Sequence, residues 1–566
     1  MITISRTLKT SVVTALGATL ILASGATPAG KISNDLMRLG EDTQASAIVV
    51  RKRAAKKLTF GFGVSVQWSA LITNGGSLLA TLNELNQTHV RAKVRDIKKL
   101  ADDTDVISIV PDRGVRANLV TARQSTGGYV SDSYGLTGAG IGIAVIDSGV
   151  TLHPDLKNGD CTTSRIVYSQ NFVPNQTSTA DGFGHGTHVA GILAGNGACS
   201  GTSSSLPKMK GIAPAASIIN LRVLNSSGVG RDSDVIAAIN RAIELKTVHN
   251  IRVINLSLGR PIYESYTMDA LCQAVEAATE AGILVVASAG NSGQLNVGGL
   301  SGYGTIKSPG NDPFVLTVGA VNMKTTAGRG DDAVASYSSK GPTALDRIVK
   351  PDLVAPGNRI GGPLAAGSTI GSNNPALIVS ESYPASKYIR LSGTSMAAPM
   401  AAGAAALLFQ REPALTPAIV KARLMRSADK AFSASSTVTT PLGSFTTYHD
   451  TPTVGAGHLD IAAALQQSST SAEGSVSPKL NLSSNGVVTL VNSSTASAVN
   501  WSTAGPLLYG SINVSTNLVL GGTGKPWGDA SVTGYSVLWG DSVLWGDSVL
   551  WGDSILWGDS ILAGEN

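Results

Sequence analysis

The chain has 566 residues, more than one hydrophobic core organises, which predicts roughly two to four domains. Charged residues at 14%, aromatics at 5% and 64 glycines describe tightly turned, small-residue globular structure and exclude a disordered chain. The net charge of +5 is concentrated locally: residues 44–121 hold 12 Lys/Arg against 6 Asp/Glu, and residues 122–566 hold 27 against 29, so nucleic-acid binding loses its electrostatic argument.

In chain order, Arg6 and Lys9 precede an uncharged stretch from Ser11 to Ala23 and the small residues Ser24, Gly25 and Ala26. That is the anatomy of a secretory signal peptide over residues 1–26, since a membrane-spanning helix needs about 20 apolar residues. Residues 44–116 read as a small basic α+β module. Strands are expected at residues 46–50 and Val106–Val110, and helical or short mixed structure at Leu78–Asn86 and Val94–Asp103. The polar passage Arg116–Tyr134 reads as structureless, with a processing linker at 117–122 and a cut between Arg116 and Gln124.

From Gly140 onward, apolar strands alternate with helices. The strands are Ile141–Ile146, Ser217–Val223, Arg252–Leu256, Ile283–Ala287 and Phe314–Val321; Ser233–Leu245 and Met268–Ala281 are helices between them. Continuous apolar strands separated by helices predict an α/β fold: a central parallel sheet covered on both faces, with ligands at the carboxyl ends of its strands. This domain is expected over residues 123–467. A Ser/Thr/Asn-rich, β-prone segment follows at 468–526, then a hexapeptide Trp-Gly-Asp repeat tail at 527–566 with Trp539, Trp545, Trp551 and Trp557 in register. Of three cysteines, Cys161 and Cys199 lie in loop-like sequence flanking the segment with His185. They are expected to pair and leave Cys272 as the odd thiol; three unpaired buried thiols are the alternative.

Three strings carry chemistry. Ala144-Val145-Ile146-Asp147-Ser148-Gly149 ends a buried strand on a carboxylate and then turns. Gly184-His185-Gly186-Thr187-His188 opens a small-residue helix, and it lacks the glutamate and i, i+4 spacing of a zinc-protease helix. His185 is therefore assigned to catalysis and His188 to packing beside it. Leu391-Ser392-Gly393-Thr394-Ser395-Met396-Ala397-Ala398-Pro399 sets a serine at a helix start, where developing negative charge is favoured. Singly, each residue is more often a turn former or cap; together they form a nucleophile, a base and an orienting acid.

In this chain order the three strings resemble the subtilisin-like serine protease family over residues 123–465, and the order differs from chymotrypsin-like and α/β-hydrolase chains. The resemblance implies a three-layer subtilisin-like fold, a secreted serine endopeptidase acting on proteins or peptides, and a triad of Asp147, His185 and Ser395. It also implies Asn291 as an oxyanion donor, and substrate edges at Ser227, Gly228, Val229, Gly230 and at Ser257, Leu258, Gly259, with Gly290 lining the pocket for the side chain before the cut. With no acidic residue placed for a basic side chain, broad, apolar-leaning specificity is expected. Residues 44–116 resemble the family's inhibitory prodomain, an intramolecular partner that templates folding and plugs the cleft. No cofactor is required for the chemistry. A structural calcium at Asp155, in His153-Pro154-Asp155-Leu156, stands beside a plain turn or helix role for that residue. No integral membrane span is expected in the mature form, and the tail is read as a sorting signal, a cell-surface anchor or a removed segment.

Overall fold

The computed structural model describes residues 31–32, 34–37, 39–52, 66–82, 87–111, 118–199, 208–295, 302–324, 326–379, 387–440, 443–482, 488–491 and 532–534. The expected signal peptide and every tryptophan of the repeat tail lie outside these residues. The chain divides into two compact units, Met1–Val115 and Arg116–Asn566.

The first unit is built on β1 (Gln44–Arg51), α1 (Val66–Thr73), β2 (Ser77–Leu82), β3 (Gln87–Lys93), α2 (Val94–Lys99) and β4 (Val106–Pro111). Its strands form an antiparallel sheet in the order β2-β3-β1-β4. Ala47 and Val49, two apart on β1, share one face and pack with Trp68, Leu71, Val90, Ile97 and Ile109. The indole of Trp68 donates to Asp103 at 3.0 Å, which satisfies its one polar group inside this core. The stretch Leu78–Asn86 departs from the helical or mixed expectation: residues 78–82 lie in β2, because pairing with β3 outweighs the helix propensity of its leucines and alanine.

The second unit contains α3 (Asn118–Ser125), β5 (Gly142–Asp147), β6 (Ile166–Asn171), α4 (His185–Ala194), β7 (Ser217–Arg222), β8 (Val229–Gly230), α5 (Asp232–Glu244), β9 (Ile251–Leu256) and β10 (Leu258–Gly259). It continues through α6 (Ala270–Glu280), β11 (Leu284–Ser288), β12 (Leu316–Asn322), β13 (Ala333–Val334), β14 (Leu353–Pro356) and α7 (Thr394–Arg411). The main sheet has eight strands in the order β13-β12-β11-β9-β5-β7-β6, with β14 also on β12; only β13 runs antiparallel.

Alternation along the strands sorts side chains into two cores. Ile143, Val145, Val253 and Val286 pack on one face with α4 and α7; Ala144, Ile146, Ile254 and Val285 pack on the other with α5 and α6. Helix α5 presents Val235, Ala238, Ile239 and Ala242 at helical spacing, which is one apolar stripe. Helix α7 is buried along nearly its whole length, and its alanines let it lie close against the sheet.

Two further departures concern the linker and the far boundary. The passage expected to be structureless contains α3, in which Ala122 and Arg123 are buried and Arg123 pairs with Asp132 at 2.8 Å. An ion pair from a buried arginine to a surface aspartate, and an alanine in the core, order a segment that reads as polar. Beyond Gln467 the chain still belongs to this unit: the Ser477 hydroxyl donates to Asp352, itself paired with the buried Lys350 at 2.7 Å, and Val349 N–H donates to the Pro478 carbonyl at 2.8 Å.

The structure joins Cys161 to Cys199 across a sequence separation of 38, and Cys272 is a buried free thiol. Closing a loop of that length in the unfolded chain is worth about 4 kcal/mol in the chain-entropy model. Replacing both cysteines by serine is expected to lower the unfolding free energy by roughly 3–4 kcal/mol in denaturant titration, with a lower midpoint and a slope raised by the more expanded unfolded chain.

Candidate active site

Strands β5, β9 and β11 are neighbours in the sheet, and each delivers one element of the site at its carboxyl end: Asp147, then Ser257, then Asn291. Asp147 is fully buried, as is His185, the first residue of α4. His185 Nδ1 donates to Asp147 Oδ1 at 2.8 Å, and the same oxygen accepts the Ser148 N–H at 2.7 Å. The approach is that close because of Gly186. A Cβ there would stand 2.2 Å from the Gly149 carbonyl oxygen and 3.1 Å from Asp147 Cβ, so only glycine lets the helix start against the strand end.

Asp181, which sequence reasoning missed, fixes the start of that helix. Its carboxylate accepts N–H groups of Gly184 (2.6 Å) and Thr187 (2.8 Å) and the Ser148 hydroxyl (2.8 Å), and Ser148 Oγ in turn accepts the Gly186 N–H at 2.9 Å. Burial pushes its carboxyl upward, against the donors that favour the charged form. The available signal was an aspartate four residues ahead of His185, in Asp-Gly-Phe-Gly-His, the composition of a helix start.

Ser395 is the second residue of α7, held from both sides by Ser257. Its hydroxyl donates to the Ser257 carbonyl at 3.1 Å, and the Ser257 hydroxyl donates to the Ser395 carbonyl at 2.9 Å. That carbonyl is open to Ser257 because Pro399, four residues on, has no N–H to give it. The proline inside α7 thereby serves the site. Gly393, at φ +153°, permits the turn into the helix.

Asn291 reaches the serine through Thr394. Its Oδ1 accepts both the Thr394 N–H and the Thr394 hydroxyl at 3.0 Å, and Thr394 Oγ1 accepts the Gly290 N–H at 3.1 Å. With its oxygen doubly engaged, the amide presents its NH2 as the remaining function, a donor beside the start of α7. Gly290 sits at φ +104°, and a Cβ there would meet Lys307 Cγ at 2.6 Å. Helices α4 and α7 pack against one another, which brings the His185 and Ser395 elements to the same end of the sheet.

The expected substrate edges are the short strands β8 and β10, together with Ser227, Gly228 and Ser257 beside them. Gly228, at φ +76°, has the Phe183 ring 2.6 Å from where a Cβ would stand. Both short strands stand apart from the main sheet, and Val532–Gly534 lies between them, antiparallel to each.

His188 takes the packing role expected of it. Its buried Nε2 donates to the carbonyls of Ile360 (3.1 Å) and Ile389 (3.2 Å), and burial with the neighbouring His185 lowers its pKa to about 3.

A calcium ion at Asp155 does not fit the residues present. Its carboxylate accepts from the Tyr388 hydroxyl and from Cys199 N–H at 3.2 Å. The adjacent cation is Arg165, whose guanidinium donates to the carbonyls of Lys157, Ala216, Asp155 and Ala194. Calcium takes six to eight oxygens, whereas these carbonyls already serve a guanidinium. Among the described residues no three acidic, histidine or cysteine side chains cluster as a metal site.

The model of the subtilase family (peptidase S8) matches residues 138–447, more than half of the chain. The chain belongs to the subtilase family. Serine protease AprX of Bacillus subtilis is 37% identical over 338 residues, 58% of this chain and 71% of that protein. Subtilisin Savinase of Lederbergia lenta is 35% identical over 294 residues, 52% of this subtilase and 85% of its relative. A solved structure described as a cold-adapted subtilisin-like serine proteinase aligns at 31% identity over 50% of this chain and 80% of its own, with a TM-score of 0.35. This subtilase is a serine protease, a hydrolase of peptide bonds.

Two measurements follow from the geometry. Thr394→Val keeps the backbone donor to Asn291 but removes the hydroxyl that orients it; kcat is expected to fall about tenfold with KM little changed, which steady-state kinetics on a peptide substrate will read. His188 is neutral in the fold, whereas the unfolded chain protonates it below about pH 6.5. Its contribution to stability is intact above pH 6.5 and is lost as pH falls toward 3, at up to about 1.4 kcal/mol per pH unit. Denaturant titrations across that range should show a shallower acid loss in His188→Gln than in the wild type.

Proposed function

We propose that this subtilase is a secreted endopeptidase, made as a self-processing precursor, in which Ser395 is the nucleophile, His185 the base and Asp147 the group that orients and charges the imidazole. The carrying observation is the 2.8 Å contact between buried Asp147 and His185 at the same end of the sheet as a serine fixed by Ser257. A serine hydroxyl is a poor nucleophile while protonated, so the imidazole takes the proton as Oγ attacks the peptide carbonyl. The aspartate keeps Nδ1 protonated and stabilises the imidazolium that forms. Negative charge developing on the carbonyl oxygen meets the Asn291 amide and the Ser395 N–H, one of the first-turn amides of α7 that have no partner within the helix. The leaving amine receives the proton back, and water releases the acyl group.

An extended substrate would add a strand between β8 and β10, with Gly290 at the pocket for the residue before the cut. Broad, apolar-leaning selectivity remains the reading for that pocket, with the Lys307 stem along its glycine wall. The separate compactness of Met1–Val115 supports an inhibitory prodomain over residues 44–116, released by cleavage between Arg116 and Gln124. Since α3 begins at Asn118, a cut within it requires the helix to open. The signal-like residues 1–26 support export, and the repeat tail a surface-associated or processed end. No helix among the described residues is long and apolar enough to cross a membrane.

Hydrolysis of denatured casein, with and without phenylmethylsulfonyl fluoride, tests the assignment. The wild type should be active and inhibited; Ser395→Ala should be inactive and accumulate as the uncut precursor. Asn291→Ala should lose about 10²- to 10³-fold in turnover, the scale known for such a donor in a related protease. Casein hydrolysis by Ser395→Ala would refute the triad.

A further inference from the structure

Asn291 stands in a loop that has a second chain segment laid along it. Residues 335–340 follow β13 and are fixed to the main sheet: Ala335 N–H donates to the Ala320 carbonyl of β12 at 2.9 Å, and Ser338 Oγ accepts the Ala320 N–H at 3.0 Å. From that support Ser339 holds the loop on both sides of Asn291. Its N–H donates to the Gly290 carbonyl at 2.9 Å, and its Oγ accepts the Ser292 N–H at 3.0 Å. One residue further, the Gly293 N–H donates to the Tyr337 carbonyl at 2.8 Å. Ser339 and Tyr337 are fully buried, so a partner removed here is not replaced by bulk water. The approach is close: a Cβ on Gly290 would stand 2.9 Å from Ser339 Oγ.

The same segment reaches the other half of the site. The Tyr337 hydroxyl donates to the Gly357 carbonyl at 3.0 Å, and that carbonyl also accepts the Gly393 N–H at 2.9 Å, two residues before Ser395. Tyr337 and Ser339 thus connect the loop of one oxyanion donor to the helix start of the other by a route separate from Thr394. We propose that Ser339 is a positioning residue for the charge that develops in the transition state: by bracketing Asn291 it sets where the amide NH2 stands relative to the Ser395 N–H, and Tyr337 continues the brace to α7. Donors stabilise an oxyanion only when they are already fixed where its charge will appear. Thr394 orients the end of the Asn291 side chain, and Ser339 fixes the main chain that carries it. Because Ser339 acts through Asn291, its loss falls on kcat and leaves KM in place. The inference rests on the reading of Asn291 and the Ser395 N–H as donors, and it adds the group that keeps them in register.

Four full-length chains decide it by steady-state kinetics on a peptide substrate: wild type, Ser339→Ala, Asn291→Ala and the chain carrying both changes. Ser339→Ala keeps the N–H to Gly290 and leaves the buried Ser292 N–H without its acceptor. Its kcat is expected to fall about tenfold with KM unchanged. In Asn291→Ala no amide is left to place, so adding Ser339→Ala should cost less than about twofold. A peptide aldehyde, whose oxygen enters the donor site when the serine adds to it, should bind Ser339→Ala about tenfold more weakly, while the corresponding peptide alcohol binds equally well. Tyr337→Phe removes one hydroxyl and keeps the ring; it should lower kcat about threefold, and it carries the decision if Ser339→Ala does not fold. Undiminished kcat in these variants, a loss that takes the form of a raised KM, or an equal loss with and without Asn291 overturns this proposal alone. Wild-type turnover by Asn291→Ala overturns the donor reading, and this inference with it.

Discussion

The arrangement depends on one close approach, that of α4 to the end of β5. An imidazole and a carboxylate 2.8 Å apart, both removed from water, require the helix to begin against the strand with no Cβ between them, and Gly186 supplies that space. Burial would otherwise be costly for the carboxylate, since a charged group loses its hydration there. Asp147 is compensated by the Ser148 N–H and by the imidazole proton, and Asp181 anchors the helix that carries the imidazole. The pair is stable because the helix start is fixed, and the helix start is fixed by a second buried carboxylate that takes no part in the chemistry.

Sheet order supplies the remaining alignment. Three adjacent parallel strands end at one edge, so residues from positions 147, 257 and 291 become neighbours without any long loop having to place them. The serine arrives from a helix over the sheet and is tied down reciprocally by Ser257. A proline inside that helix would ordinarily weaken it. Here the lost N–H frees the one carbonyl that Ser257 then uses, so the defect becomes an attachment between helix and sheet.

Much of this was readable in the sequence because its signals are local. The strand at Gly142–Asp147, the histidine helix and the serine helix each announce themselves by a run of small and apolar residues around one polar group. What escaped reading depends on distant partners. Asp181 and Thr394 look like ordinary turn and cap residues until the groups they bond are in place. Helix α3 reads as polar linker because the ion pair of Arg123 with Asp132 is a tertiary fact. Residues 78–82 become a strand through pairing with β3. At Asp155, a short motif suggested a cation without saying which: the positive charge beside it belongs to Arg165, a residue ten positions away.

An edge strand with unpaired amides and carbonyls invites another chain, and short, glycine-rich edges limit how much of that invitation is exposed. Strands β8 and β10 form two such edges facing one gap, and the gap accepts any extended backbone of the right polarity because main-chain groups carry no sequence information. As the substrate edges proposed above, residues 227–230 and 257–259 would not distinguish a foreign peptide from a segment of the same molecule; selection would fall to the side-chain pockets and to effective concentration. A tethered segment has the advantage in the second, since its local concentration is set by linker length and not by supply. Val532–Gly534 already lies in that gap, antiparallel to both edges, so any other strand that is to pair there has this segment of the same chain to displace.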